Sequence, residues 1–114
     1  DVVALDADFL VGSSHKLCGP TGMGFLWARE SLLEAMPPFL GGGEMIQDVF
    51  LDHSTWAVLP HKFEAGTPAI GEAVGMGAAI RYLQAVGLEA IQAWEAQLTQ
   101  HLFTRLQAID GVKI

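Results

Sequence analysis

Apolar residues in the first quarter of the chain fall into two short runs separated by glycine-rich sequence. Phe9 to Val11 form the first run, which ends at small residues and is typical of a buried strand. The second run, Gly24 to Ala28, follows turn-forming residues and predicts a second strand. The chain therefore begins with two strands joined by a tight, glycine-rich connection.

A short helix and a long irregular segment are predicted next. Ser31 and Glu34 have the spacing of a capping box, which places Ser31 at the N-cap of a helix. Pro37 and Pro38 then end this helix after little more than one turn. From Gly41 to about Ala65 the pattern has no clear period; a hairpin inside this stretch is possible, and long loops of this kind are usually functional.

Two longer helices follow. Thr67 is a favoured N-cap residue and Pro68 a favoured first helical residue, so the second helix is predicted to begin there and to end at Gly87. The third spans Leu88 to Ile109 and carries a stripe at steps of three and four that predicts a buried face. Its residues are Leu88, Ile91, Trp94, Leu98, Leu102, Leu106 and Ile109. This mixture of strands and helices indicates an α/β or α+β fold.

Composition narrows the class of partner. The 114 residues have a formal net charge of −7, which argues against binding to nucleic acid or to an anionic membrane surface. There is one cysteine, so no internal disulfide can form. No apolar run is long enough to span a bilayer, and the first residues do not resemble a signal peptide. We expect a cytoplasmic protein.

The chain has no initiator methionine and closes on what resembles the start of a strand, so we also expect a fragment of a longer protein.

Ser13, His15 and Lys16 form the candidate chemical group. They follow the first predicted strand, a common location for catalytic residues in α/β folds. A buried lysine is costly unless paired, and attachment to an aldehyde cofactor as a Schiff base would remove its free ammonium group. Ser13 and His15 are suited to donate hydrogen bonds to phosphate oxygens. On local chemistry alone, however, such a sequence is more often a solvated loop.

Three motifs together resemble one enzyme family. The segment Ser13 to Gly24 (SSHKLCGPTGMG) resembles the cofactor-lysine segment of the cysteine desulfurase and selenocysteine lyase family. These are pyridoxal phosphate (PLP) enzymes of the class V aminotransferase fold. Met36 to Ile46 and Phe63 to Pro68 are similar to the next two signatures of that family, in the same order. Their GGGEMI and FEAGTP forms resemble the group II branch, which includes the SUF desulfurases of iron–sulfur assembly.

The resemblance implies a role for individual residues. Lys16 would bind PLP covalently and move the substrate Cα proton, while Ser13 and His15 would bind the cofactor phosphate. Thr67 would reach the phosphate of a neighbouring subunit, which implies a homodimer. A helix N-terminus at Thr67 would suit an anion, although without the resemblance a plain helix cap is the favoured explanation. Cys18 lies inside the lysine motif, so we expect a small buried thiol rather than the sulfur-accepting nucleophile. The histidines show no metal-ligand spacing.

The resemblance also implies an architecture and an activity. Residues 1–87 would be the C-terminal part of the large PLP-binding domain of an α/β, fold type I transferase, and residues 88–114 a linking helix and the start of the small domain. The parent enzyme would convert L-cysteine to L-alanine and a persulfide for a sulfur-acceptor protein. Other catalytic residues of the family precede or follow this chain, so we expect these 114 residues to be inactive alone. Alternatives are a selenocysteine lyase, another class V enzyme, or a non-catalytic α/β module in which Lys16 is an ordinary loop residue.

Overall fold

The computed structural model describes residues 1–114, which form four strands and three helices. Two turns of 3-10 helix, Ser14–Leu17 and His61–Phe63, lie between them. The strands are β1 (Phe9–Ser13), β2 (Gly24–Ala28), β3 (Ile46–Val49) and β4 (Ser54–Trp56), and the helices are α1 (Glu30–Ala35), α2 (Ile70–Val86) and α3 (Leu88–Gln107). The predicted mixture of strands and helices is confirmed.

Strands β1 and β2, which the two apolar runs predicted, pair with each other in antiparallel orientation. Phe9 pairs with Ala28 at one end and Ser13 with Gly24 at the other. The prediction that β1 is buried was wrong for this chain, because Val11 is 73% exposed. The sheet contains only these two strands, so nothing covers the outward side of Val11. The pair nevertheless fixes where the chain leaves β1 and enters the turn that follows.

A second hairpin occupies the segment for which the sequence pattern gave no clear period. Strands β3 and β4 pair antiparallel, with an irregularity between Ile46 and Asp48. The Thr55 hydroxyl donates to the Asp48 carboxylate at 3.0 Å, which ties the two strands together. This irregularity displaces the alternation of side chains and explains why the pattern did not define the hairpin.

Helix α1 begins earlier than the capping-box pattern predicted. Arg29 is its N-cap residue, Ser31 lies inside the helix, and no side chain makes a capping hydrogen bond. The backbone N–H of Arg29 donates to Asp8, and its guanidinium pairs with Asp6 and with Asp8, the latter at 2.8 Å. These contacts hold Arg29 against the residues just before β1, so helix α1 can begin at the next residue. It ends before Pro37, as predicted.

Helix α2 begins later than predicted. Its N-cap is Ala69, and neither Thr67 nor Pro68 is helical. Gly66 has φ 82°, and its backbone N–H donates to the Gly43 carbonyl at 2.9 Å. This contact keeps the preceding chain out of the helical conformation. The predicted end is confirmed, since α2 stops at Val86 and Gly87 follows with φ 91°.

Helix α3 lies largely open to solvent. The prediction that its apolar stripe is buried was wrong for this chain, since Trp94 is 60% and Leu102 53% exposed. The radius of gyration is 20.5 Å, whereas a compact chain of this length has about 13 Å. The molecule is elongated, and most of the stripe is left uncovered by the other elements. None of the helices has the length and apolar character needed to cross a membrane.

Candidate functional site

The turn after β1 is held by its own backbone. Ser13 ends β1, and Ser14–Leu17 forms a 3-10 turn that packs against α2. The N–H of Ser14 donates to Met23 at 2.9 Å, and the N–H of Gly19 donates to Ser14 at 3.0 Å. These hydrogen bonds fix both ends of the turn. The sequence thus folds the candidate residues onto a rigid connection between two paired strands.

Close packing beneath the turn reinforces it. The Ser14 side chain is fully buried, and its hydroxyl has no hydrogen-bond partner. A Cβ on Gly19 would come closer than 3.0 Å to the Ser14 hydroxyl, so only glycine fits there without movement. A Cβ on Gly75 of α2 would likewise meet Pro20 at 2.9 Å. The small residues of α2 therefore allow the loop to lie directly on the helix.

Lys16 is accessible rather than buried. Its side chain is exposed and makes no hydrogen bond or ion pair. The argument that a buried ammonium needs a covalent partner therefore does not hold. The residue instead borders an open hollow of about 410 Å³ at the junction of α2 and α3. That hollow is lined by Lys16, Leu17, Cys18, Tyr82, Leu83, Val86, Leu88, Ile91 and Glu95.

The polar groups beside Lys16 define what the turn can bind. Ser13 is partly exposed and His15 is exposed, so both side chains are accessible. The backbone N–H groups of Ser14 and Gly19 are already used inside the turn. The hydroxyl of Ser13 and the imidazole of His15 are therefore side-chain groups that an anion at this point could contact.

Thr67 is placed differently from the prediction. It is exposed in the loop that follows Gly66, and it does not cap α2. No hydrogen bond joins it to Ser13, His15 or Lys16 within the chain. The helix-cap argument for an anion at Thr67 therefore fails. Its predicted role towards a neighbouring subunit stays a prediction.

Cys18 also differs from the prediction. The thiol is exposed rather than buried, and the residue has the left-handed value φ 61° at the end of the 3-10 turn. A short side chain in this conformation ends the turn before Gly19. Cys18 therefore sets the direction of the chain after Lys16. Its thiol is exposed because it borders the open hollow.

Lys62 is the residue that sequence reasoning missed. It is only 8% exposed, and its ammonium donates to the carbonyls of Leu33 at 3.0 Å and Glu34 at 2.9 Å. The same group lies 5.5 Å from the centre of the Phe63 ring. The carbonyl acceptors lie almost thirty residues earlier in the chain. No local sequence pattern could have revealed them.

Similarity to curated proteins covers the whole chain. It is 55% identical over 114 residues to a probable cysteine desulfurase of Synechocystis sp. and 48% identical to a cysteine desulfurase of Haloferax volcanii. Each match includes 100% of this chain and 27% of the relative. The chain therefore spans about a quarter of the length of these relatives.

Solved structures agree with this similarity. A cysteine desulfurase from Escherichia coli superposes with a TM-score of 0.90 at 40% identity, covering 97% of this chain and 28% of that protein. The corresponding enzyme of Thermococcus onnurineus gives a TM-score of 0.85 at 43% identity, covering 93% and 27%. The family model for aminotransferase class-V matches residues 1–114. The chain belongs to the aminotransferase class-V family, with a fold shared by cysteine desulfurases.

Proposed function

We propose that this chain is part of a PLP-dependent cysteine desulfurase that converts L-cysteine to L-alanine. The observation that carries the proposal is the match of the complete chain to proteins named as cysteine desulfurases, at about half identity. The structure adds a lysine, a serine and a histidine on one rigid turn at the end of β1. A selenocysteine lyase shares this chemistry but has no separate observation in its favour.

The residues of the turn fit PLP. The Lys16 amine is exposed and free of ion pairs, so it is available to bond with an aldehyde carbon. Ser13 and His15 supply an accessible hydroxyl and imidazole within three residues of it. A dianionic phosphate is well matched by such side-chain donors, and charge-assisted hydrogen bonds are the stronger kind. The three residues thus provide one covalent anchor and two phosphate ligands.

The residues of the turn would then hold the cofactor in place and move a proton of the substrate. Lys16 Nζ would hold the cofactor and afterwards remove and return the proton at the substrate Cα. The hydroxyl of Ser13 and the ring N–H of His15 would donate to phosphate oxygens and fix the cofactor's orientation. Bound PLP supplies an electron sink for the reaction, provided that a residue elsewhere keeps its ring nitrogen protonated.

The proposal includes an assembly. We place Thr67 at the phosphate of a neighbouring subunit, because its exposed loop position leaves the hydroxyl accessible and the side chain makes no hydrogen bond within the chain. This makes the working enzyme a homodimer. We also infer that the sulfur passes to an acceptor protein for iron–sulfur assembly, on the basis of the motif resemblance. We place the boundary between the large and small domains at Gly87, where the chain turns from α2 into α3.

Replacement of Lys16 tests the proposal. In the longer protein that carries this segment, Lys16→Ala should abolish the visible absorbance band that added PLP acquires when bound to a lysine amine. Release of alanine from cysteine should fall by at least about a thousandfold, because the residue is both the anchor and the proton carrier. Absorbance titration and alanine quantification measure the two effects.

Lys113→Ala is the matched control, since Lys113 is an exposed lysine near the other end of the chain. It should leave both the absorbance and the alanine release unchanged. If Lys16→Ala retains the bound-PLP band, Lys16 is an ordinary loop lysine and the proposal is wrong. Retention of full activity with the band lost would also contradict the role in proton transfer.

A further inference from the structure

We propose that Lys62 is a positioning residue that fixes the loop bearing Thr67, and thereby contributes to PLP binding across the dimer interface. The inference rests on the proposed function, since it concerns the phosphate that Thr67 would contact. Its structural basis is independent of that function. Lys62 is buried, charged and bonded to two backbone carbonyls of a different element.

The first step is the end of helix α1. A helix leaves its last four carbonyls without intrahelical partners. In α1 the Leu32 carbonyl accepts from the Met36 N–H, and the next two, Leu33 and Glu34, accept from the Lys62 ammonium. A cation is also favoured at the negative end of the helix dipole. Because α1 has only six residues, it depends on such tertiary contacts for its stability.

The second step is the connection from Lys62 to Thr67. Lys62 lies in the 3-10 turn His61–Phe63, which continues into the loop through a hydrogen bond from the Glu64 N–H to the His61 carbonyl at 2.9 Å. Two residues later the Gly66 N–H donates to Gly43. The loop is therefore fixed at both ends.

Close packing restricts the middle of this loop. A Cβ on Gly42 would lie 3.3 Å from the Cβ of Ala65, so the two segments are already in near contact. Thr67 comes directly after the second anchor, Gly66, and its own side chain makes no hydrogen bond. Its position consequently depends on the two anchors rather than on contacts of its own. Lys62 is the charged side chain that joins this loop to helix α1, whereas the Glu64 carboxylate, 3.6 Å from His61 Nδ1, contacts only the loop itself.

Removal of the Lys62 charge should therefore displace Thr67. Lys62→Met keeps the length and the apolar packing of the side chain but leaves the carbonyls of Leu33 and Glu34 without donors. Loss of one charge-assisted hydrogen bond from Thr67 to a phosphate corresponds to an affinity loss of about tenfold or more. We expect Lys62→Met to raise the dissociation constant of PLP by about this factor in the folded dimer.

The experiment is a double-mutant cycle in the longer, dimeric protein. The wild type, Lys62→Met, Thr67→Val and the double variant are stripped of PLP and titrated with it, with bound PLP followed by visible absorbance and tryptophan fluorescence. If Lys62 acts through Thr67, the double variant should bind PLP as weakly as Thr67→Val alone, within about twofold. The control Lys113→Met should bind like the wild type, because Lys113 is exposed.

Three results would overturn the inference. The first is that the losses of PLP affinity in Lys62→Met and Thr67→Val add up in the double variant. The second is that Lys62→Met has an unchanged PLP affinity and only a lower melting temperature. The third is a wild type that binds no PLP, which would refute the proposed function as well and is thereby distinguished from the first two. If Lys62→Met does not yield a folded dimer, the cycle is run with Lys62→Gln. Its shorter, neutral side chain should weaken PLP binding at least about threefold. Full PLP affinity in that variant would contradict the inference.

Discussion

Gly19→Ala should loosen the turn that carries Lys16. The new Cβ would come closer than 3.0 Å to the Ser14 hydroxyl and would lie 3.1 Å from the Ser14 carbonyl oxygen. The Ser14 side chain is fully buried and cannot rotate into solvent. Forcing one extra methyl group into well-packed surroundings costs about 1–3 kcal/mol. We expect this cost to appear as local opening of the segment between β1 and β2.

Hydrogen exchange measured by mass spectrometry can detect this opening in the longer protein. The reporting amides are those of Ser14 and Gly19, which donate to Met23 and Ser14 at 2.9 and 3.0 Å. A loss of about 1–3 kcal/mol in local stability corresponds to exchange that is about 5 to 150 times faster. Peptides from the C-terminal half of α3 should exchange at the wild-type rate, because those residues do not border the turn or its hollow.

A second substitution isolates the cause. Ser14→Ala removes the hydroxyl that clashes and that has no hydrogen-bond partner of its own, so alone it should change local stability by no more than about 1 kcal/mol. In that background Gly19→Ala should lose at least about 1 kcal/mol of its cost. The reasoning is refuted if the two substitutions are additive within about 0.5 kcal/mol.

Two further predictions concern the same loop. Gly75→Ala should lower the melting temperature of the longer protein, because the added Cβ would meet Pro20 at 2.9 Å. The control Gly77→Ala, whose Cβ would meet only Arg81 at 3.7 Å, should leave the melting temperature unchanged or raise it. Equal shifts of the two variants in a thermal melt would contradict this packing. Cys18→Ser should retain at least about half of the alanine release, because we expect no catalytic role for the thiol, which borders the Lys16 hollow. Loss of persulfide formation in this variant would show that Cys18 is the sulfur acceptor.

The elements that depend on local sequence were predictable. The two apolar runs gave β1 and β2, and the glycine after Val86 correctly marked the end of α2. The turn holding Lys16 was also located correctly, because a strand end followed by glycine-rich sequence leaves few alternatives. These features share one property: the residues that determine them are neighbours in the chain.

The errors arose where distant contacts override local preference. Ser31 has a good capping sequence, yet α1 begins earlier because Arg29 is held by acidic residues before and at the edge of β1. Thr67 also has a good capping sequence, yet α2 begins later because the Gly66 N–H donates to the Gly43 carbonyl. Lys62 gave no local signal, since its acceptors lie on α1. The exposure of Lys16 was also missed, because apolar residues in β1 do not show how many strands will flank it.

The open apolar stripe of α3 has a consequence for how the protein must be handled. An amphipathic helix with exposed tryptophan and leucine, together with two hairpins that have unpaired edges, presents surfaces through which polypeptides associate nonspecifically. Expressed by itself, this segment should accumulate in inclusion bodies. During synthesis the same surfaces should recruit chaperones until later-folding partners shield them.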